Sequence, residues 1–172
     1  MFQCIYRELS RNELTTVDSL IYSGLDSLEE LSLSRNQLTD LMDGAFYGLN
    51  SIQQLELDGN QLTTVRRGWL FGLKSLVHLT ANHNRINETE ASSWEFCPNL
   101  EYLDLSHNRL TTLEAAEDGG GDGAGGQGAN PAGNGAASAP WPPLLRELYM
   151  NHNRITQVAD GAFIQLSLLQ VL

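Results

Sequence analysis

Basic side chains are scarce: ten Lys and Arg stand against 21 Asp and Glu, a formal charge of −11. A chain of that sign repels phosphate backbones and anionic membrane surfaces at long range, so nucleic acid is not an expected partner. Cysteine is nearly lacking. Cys4 and Cys97 are the only two, too few for a disulfide framework and without a zinc-ligand spacing. Long apolar runs are missing as well, so no membrane segment is expected within the chain. The opening MFQCIYRELS shows no charged region followed by an apolar stretch and a small-residue cleavage site, so no export leader is legible there. What remains is an acidic chain of 172 residues, a length that suits one domain with a sizeable core.

A period runs through it. LEELSLSRNQL begins at Leu28, IQQLELDGNQL at Ile52, LVHLTANHNRI at Leu76, LEYLDLSHNRL at Leu100 and LRELYMNHNRI at Leu145. Each fits L-x-x-L-x-L-x-x-N-x-L, the leucine-rich repeat. The asparagines fall at Asn12, Asn36, Asn60, Asn84, Asn108 and Asn153; the first four intervals are 24 residues and the last is 45. Alternating residues such as Leu31 and Leu33, Leu55 and Leu57, or Leu103 and Leu105 point inward from a short strand. The spacing therefore predicts an α/β leucine-rich repeat solenoid, a horseshoe of about six to seven repeats of 24 residues. Parallel strands form its concave face, and irregular or short helical returns (43–49, 66–73, 159–166) form its convex face. Phe46, Leu70 and Phe163 are expected to pack along those returns. Each ladder asparagine carries donor and acceptor groups that suit the buried backbone where the chain turns off its strand.

The glycine-, alanine- and proline-rich segment 117–143 interrupts the pattern, which resumes around Asn153 with its usual internal spacing. This arithmetic places a disordered insertion inside the fifth repeat and keeps residues 1–172 as one repeat domain. Gly121, Gly123 and Gly126 make a formal G-x-G-x-x-G, but more Gly, Ala and Pro flank them where a dinucleotide site needs a strand and a helix. The match is one of low complexity. Trp141 is a candidate plug for the missing aromatic return. Arg7 falls in an inward slot, so the first coil is expected to be imperfect, and Ala81 stands where other repeats carry a larger apolar residue.

DGAFYGLNSIQQLELDGNQLT, RRGWLFGLKSL and SSWEFCPNLEYLDLSHNRLT together resemble the ectodomain of the leucine-rich repeats and immunoglobulin-like domains family. The resemblance covers roughly residues 25–116 and 144–172. It implies a fragment of a longer single-pass membrane protein at the extracellular face of the plasma membrane, one that binds and modulates growth-factor receptors. Two other readings stay open on the same fold. One is an extracellular adhesion or matrix-binding protein; the other is a cytoplasmic scaffold, which two free cysteines would suit.

The outward strand positions are the candidate partner-binding face: Glu30, Ser32, Gln54, Glu56, Asp58, His78, Thr80, Tyr102, Asp104, Glu147 and Tyr149. The acidic first half and the His- and Tyr-rich second half point to a protein partner, a receptor ectodomain under the resemblance, with exposed tyrosines as contact anchors. The plainer alternative is a solvated strand face. His83, His107 and His152 each precede a ladder asparagine, with Arg85, Arg109 and Arg154 two residues beyond. They form a candidate pH-sensitive column, again beside a plain solvated reading. Parallel histidines do not converge, which argues against a tetrahedral metal site. No serine or cysteine has an evident base and orienter, so no catalytic residue, cofactor or small-molecule substrate is expected. Asn87 opens N-E-T, a glycosylation sequon that carries weight only in a secreted chain. Thr89, its third residue, occupies a slot that is apolar elsewhere. Cys4 and Cys97 lie about four coils apart, on the order of 19 Å, and are expected as free thiols.

Overall fold

The computed structural model describes residues 4–90, 93–113 and 141–172. The glycine-rich segment therefore lies outside the described residues, apart from its last three. Among the described residues ten short strands alternate with turns. The concave sheet consists of β1 (Tyr6–Glu8), β2 (Glu30–Ser32), β3 (Gln54–Glu56), β5 (His78–Thr80), β7 (Tyr102–Asp104) and β9 (Glu147–Tyr149), parallel and in that spatial order. Its register keeps repeats aligned residue for residue, so Leu31, Leu55, Leu79, Leu103 and Leu148 are cross-strand partners. Past the turns, β4 (Thr64–Val65) pairs with β6 (Glu88–Thr89), and β8 (Thr112–Leu113) pairs with β10 (Gln157–Val158). A bridge from Glu147 to Val171 begins a further coil.

Among the described residues, helix is confined to one turn of α-helix, α1 (Arg67–Leu70), and a 3₁₀ turn over Ser93–Phe96, both on returns. The horseshoe architecture expected from the period is thus the architecture observed. Leucines fill its centre: Leu28, Leu33, Leu55, Leu57, Leu79, Leu103 and Leu148 are fully buried. Each such side chain contributes about 1.5–3 kcal/mol. The ion pairs Arg66–Asp40, Arg67–Glu95 and Arg146–Glu101 are half-exposed, and pairs of that kind contribute only ~0–1 kcal/mol. Burial between coils holds the solenoid.

The returns add an aromatic layer. Phe46 is stacked beside Tyr22 and meets Trp69 edge-on, with ring centroids 6.2 and 6.1 Å apart. Leu70 is fully buried and Phe163 half-buried against the same core. Trp141 is buried and stacks on Trp94 of the preceding return at 6.4 Å. The sequence of the fifth repeat carries no aromatic return, and Trp141 is the ring packed against Trp94. Arg7 is exposed, as is all of β1, which among the described residues pairs on one side only, with β2. Ala81 is buried. Both cysteines are free thiols, Cys4 exposed and Cys97 buried; burial pushes the Cys97 thiol up to about 12.

The asparagines join the coils. The Asn84 side-chain amide donates to Leu57 O in the preceding coil and to Ala81 O in its own, both at 3.0 Å. Its oxygen accepts the Leu62 N–H at 3.0 Å. Asn36, Asn60 and Asn108 repeat this pattern, and Asn153 makes the same bonds to Leu105 O and the Leu110 N–H. Asn12, in the first coil, is exposed and among the described residues donates only to Leu9 O and Ser10 O nearby. This contrast sets a test by urea denaturation. Asn84→Ala strands a buried N–H and two buried carbonyls and should cost about 3 kcal/mol of stability. Asn12→Ala should stay within about 0.5 kcal/mol. Equal losses at the two positions would contradict a ladder acting between coils.

Candidate partner-binding face

On each concave strand the first and third residues face away from the leucine core, and register stacks them into two rows. Tyr6, Glu30, Gln54, His78, Tyr102 and Glu147 form one; Glu8, Ser32, Glu56, Thr80, Asp104 and Tyr149 form the other. Glu30 is exposed, and Gln54, Glu56, Asp58, His78, Thr80, Tyr102, Asp104, Glu147 and Tyr149 are half-buried. Ser32 departs from expectation. It is only 3% exposed, because a two-atom side chain sits in register between the longer Glu8 and Glu56. Ser32 therefore presents little surface on this face. Ser106 is buried for lack of length too.

In the second half of the face, rings are in contact. His78 lies flat on Tyr102 with centroids 3.9 Å apart and planes 5° from parallel. Tyr102 meets Tyr149 diagonally at 5.4 Å. Carboxylates flank this aromatic cluster and are held by hydrogen bonds. Asp58 accepts from Thr80 Oγ1 at 2.7 Å and from the Asn82 N–H at 3.0 Å. Asp104 accepts from Asn82 Nδ2 at 3.0 Å and from the Ser106 N–H at 2.8 Å. Tyr149 donates its hydroxyl to Glu147 at 2.9 Å, Gln54 donates to Glu56 at 2.8 Å, and Tyr6 donates to Glu8.

Titration follows from this packing. Burial raises the Asp58 carboxyl above its ordinary range, opposed by its bonds from Thr80 and Asn82 and reinforced by Asp104 and Glu56. Burial also lowers His78, with the carboxylates Glu56, Asp58, Glu147 and Asp104 pulling the other way. Tyr102 is raised first by burial and then by Asp104; Tyr149 is raised first by its bond to Glu147. At the open end Glu8 falls to about 2, held by Ser10 and Tyr6. The face presents fixed negative charge around rings, an arrangement that complements a cation by both ion pairing and cation–π contact.

The histidine column stands beside this face. His83, His107 and His152 stack at 4.1 and 4.2 Å, one per coil, so the structure brings together three residues that the sequence separates by 24 and 45 positions. Among the described residues no group of three His, Cys, Asp or Glu is arranged to hold a metal ion, and no helix is long and apolar enough to cross a membrane. Asn87 is exposed and Thr89 half-buried in β6.

One surface had no counterpart in the sequence reading. On the return side Tyr47 stacks on Phe71 at 5.8 Å, and Phe71 meets Phe96 edge-on at 5.0 Å. They line a cleft of about 620 Å³ with Leu20, Asp43 and Arg67. The signal was present, since the three aromatics lie 24 and 25 residues apart, but the same spacing also marks buried return residues such as Phe46.

The leucine-rich repeat family matches residues 8–62 and 26–86, and the family of leucine-rich repeats in two copies matches residues 74–117. No match among curated proteins reaches significance. Among solved structures, the chain is similar to the protein in a TLR13–ssRNA13 complex. The identity is 25% and the TM-score 0.72, over 94% of this chain and 20% of that one. It is also similar to a chain of the glycosylated Drosophila Toll–Spatzle complex, at 22% identity and a TM-score of 0.71, over 91% of this chain and 20% of that one. The present chain thus spans about a fifth of the length of these relatives. Two repeat families together match residues 8–117, and the same strand, asparagine turn and return recur beyond Trp141; the chain belongs to the leucine-rich repeat family.

Proposed function

We propose that this chain is a non-catalytic protein-interaction module, part of an extracellular repeat array that binds and modulates a growth-factor receptor. On this reading the glycine-rich segment 117–143 is an expansion within the fifth repeat of a single domain. The observation that carries the interaction surface is the concave cluster of His78, Tyr102 and Tyr149 set among Asp58, Asp104 and Glu147. Interface energy concentrates in rigid aromatic anchors surrounded by polar groups, and these rings are already held by one another. Their setting selects a partner with arginine or lysine at the contact. The two solved neighbours are in complex with an ssRNA and with Spatzle. A concave face lined with carboxylates suits the second kind of partner, a protein, and repels a phosphate backbone. The receptor-modulating role rests on the family resemblance of the return sequences.

The extracellular location is likewise part of the proposal. Asn87 is exposed at the edge of β6, with its backbone N–H bonded to Thr63 O at 2.9 Å and its side chain open to solvent. Expressed behind an export leader in a eukaryotic secretory pathway, the chain should carry one N-glycan. Treatment with an N-glycosidase should shift its mass, and Asn87→Gln should remove the shift. A secreted chain that is unmodified at Asn87 would count against this assignment and favour the cytoplasmic alternative.

Binding to a panel of growth-factor-receptor ectodomains by surface plasmon resonance tests the interaction directly. At least one should bind, and Tyr102→Ala should weaken it by about thirtyfold, the size of a central aromatic anchor. Asp104→Lys should weaken it further by reversing the charge beside the rings. A panel without a binder would sink the receptor reading, whereas binding indifferent to both substitutions would move the interface off the concave face.

A further inference from the structure

The residue ahead of each ladder asparagine is left-handed: φ is 57° at Arg11, 56° at Arg35, 66° at Gly59, 53° at His83, 53° at His107 and 57° at His152. Such a conformation is uncommon outside glycine. Here it repeats because the chain must turn sharply off the strand while the following asparagine enters the core. Side chains launched from identical backbone on successive coils stay parallel, which is why the three imidazoles stack. Two residues on, Arg85, Arg109 and Arg154 are exposed. Among the described residues none of them lies within ion-pair distance of a carboxylate, while Arg66, Arg67 and Arg146 are each paired. In a chain with a formal charge of −11, three of the four histidines and three unpaired arginines therefore share one edge of the solenoid, alongside an acidic concave face.

Carboxylates on the neighbouring strands hold hydrogen bonds of their own. Asp104, on β7, is the one whose charge acts on His107, and both of its oxygens accept hydrogen bonds. Glu88, on β6, accepts from Thr64 Oγ1 at 3.3 Å. His107, in the middle of the column, is held below the ordinary imidazole value, first by desolvation and then by His83 and His152 on either side, with Asp104 opposing. Within the column ring faces are spent on one another, so the outward edges offer N–H donors at about 4 Å intervals. Single-stranded nucleic acid is bound by open aromatic faces on which bases stack, and the middle ring has none free. Rows of N–H donors and guanidinium forks instead match the oxygens of repeated tetrahedral anions.

We propose that the edge formed by His83, His107 and His152 with Arg85, Arg109 and Arg154 binds a linear sulfated polysaccharide running along the solenoid axis. This surface is separate from the concave face and does not depend on the receptor reading. Sulfates along the edge supply the counter-charge that stacked imidazoles lack, so histidine pKa values rise on binding and protons are taken up with the ligand. The sign follows from linkage. The added affinity is fully present below the free-state histidine values and is lost as pH rises through the higher bound-state values.

The test uses the full unglycosylated chain and a heparin decasaccharide, with affinity measured calorimetrically at pH 5.5 and 7.4. Binding should be on the order of tenfold tighter at pH 5.5. Arg85→Gln and Arg109→Gln should each weaken it roughly threefold. Arg146→Gln, which removes the same charge away from this edge, should leave it unchanged. His107→Gln should flatten the pH dependence, and His152→Gln, at the end of the stack, gives a second route if the first variant melts early. Any of four results would overturn the proposal: no binding at pH 5.5, equal affinity at the two pH values, a loss with Arg146→Gln as large as with Arg109→Gln, or a single-stranded RNA decamer binding as tightly as the decasaccharide.

Discussion

Leucine burial holds the coils together, but how each coil seats on the last depends on one side-chain amide per coil from Asn36 onward. A strand that turns away from a sheet leaves buried backbone donors and acceptors with no regular partner, and each one left unmade costs about 1–3 kcal/mol. Asparagine is suited to the task because a single short group both donates and accepts. Asn84 satisfies Leu57 O and the Leu62 N–H of the coil before it while closing its own turn on Ala81 O. That double engagement fixes where each coil sits on the last. Strand register, the left-handed residue ahead of the asparagine and the columns of outward side chains then follow as geometric consequences. The ladder is blind to chain length. Asn108 reaches back 27 residues to Ala81 O and Asn153 reaches back 48 to Leu105 O, yet the bonds are alike, because only adjacency in space matters. Just ahead of the Asn153 coil, Trp141 stacks on Trp94.

Identical launch geometry turns a repeated sequence position into a surface. A lone exposed histidine is a solvated polar group, but three on consecutive coils stack at 4.1 and 4.2 Å. The same holds on the sheet, where His78 and Tyr102 are cross-strand partners in contact. Such side chains are ordered before any partner arrives, so less conformational freedom is lost on binding. The two edges of each turn carry opposite chemistry. Carboxylates held by Thr80, Asn82 and Tyr149 occupy the concave side, and arginines without carboxylate partners among the described residues occupy the neighbouring edge.

Much of this was legible in the sequence because a 24-residue period maps directly onto a physical coil. The strands, the buried leucines, the asparagine turns and the two free thiols all follow from alternation and spacing. What the period does not encode is coverage. Ser32 occupies an outward slot by alternation but is buried, since exposure depends on the lengths of Glu8 and Glu56 on the flanking strands. Ring contact is equally hidden. Spacing put His78 and Tyr102 on neighbouring strands, yet their flat stacking depends on rotamers that the pattern does not fix. On the return side, Phe46 and Tyr47 are adjacent and recur with similar period, but one is fully buried and the other lines an exposed cleft. Only the direction each side chain takes from an irregular return separates them.

Ring spacing differs between the two sides of the solenoid, and the difference bears on which faces are suited to binding. Aromatic centroids on matching positions of adjacent coils lie 3.9 Å apart on the concave sheet and 4.1–4.2 Å apart along the histidine edge. On the returns they lie 5.0–6.4 Å apart. Bulky Phe46, Trp69, Trp94 and Trp141 wedge the coils open behind, while hydrogen-bonded strands, with a natural spacing of about 4.8 Å, hold them closed in front. Side chains in front are therefore pressed into contact and those behind are spread. Compression gives the concave face and its basic edge rows of mutually supported groups at a fixed pitch, which is what recognition of an extended or repetitive partner requires. Splaying on the return side leaves gaps between aromatic rings, filled from within by leucine and open from without as a cleft. The residues that close the core on one side thus set the pitch of the binding surfaces on the other.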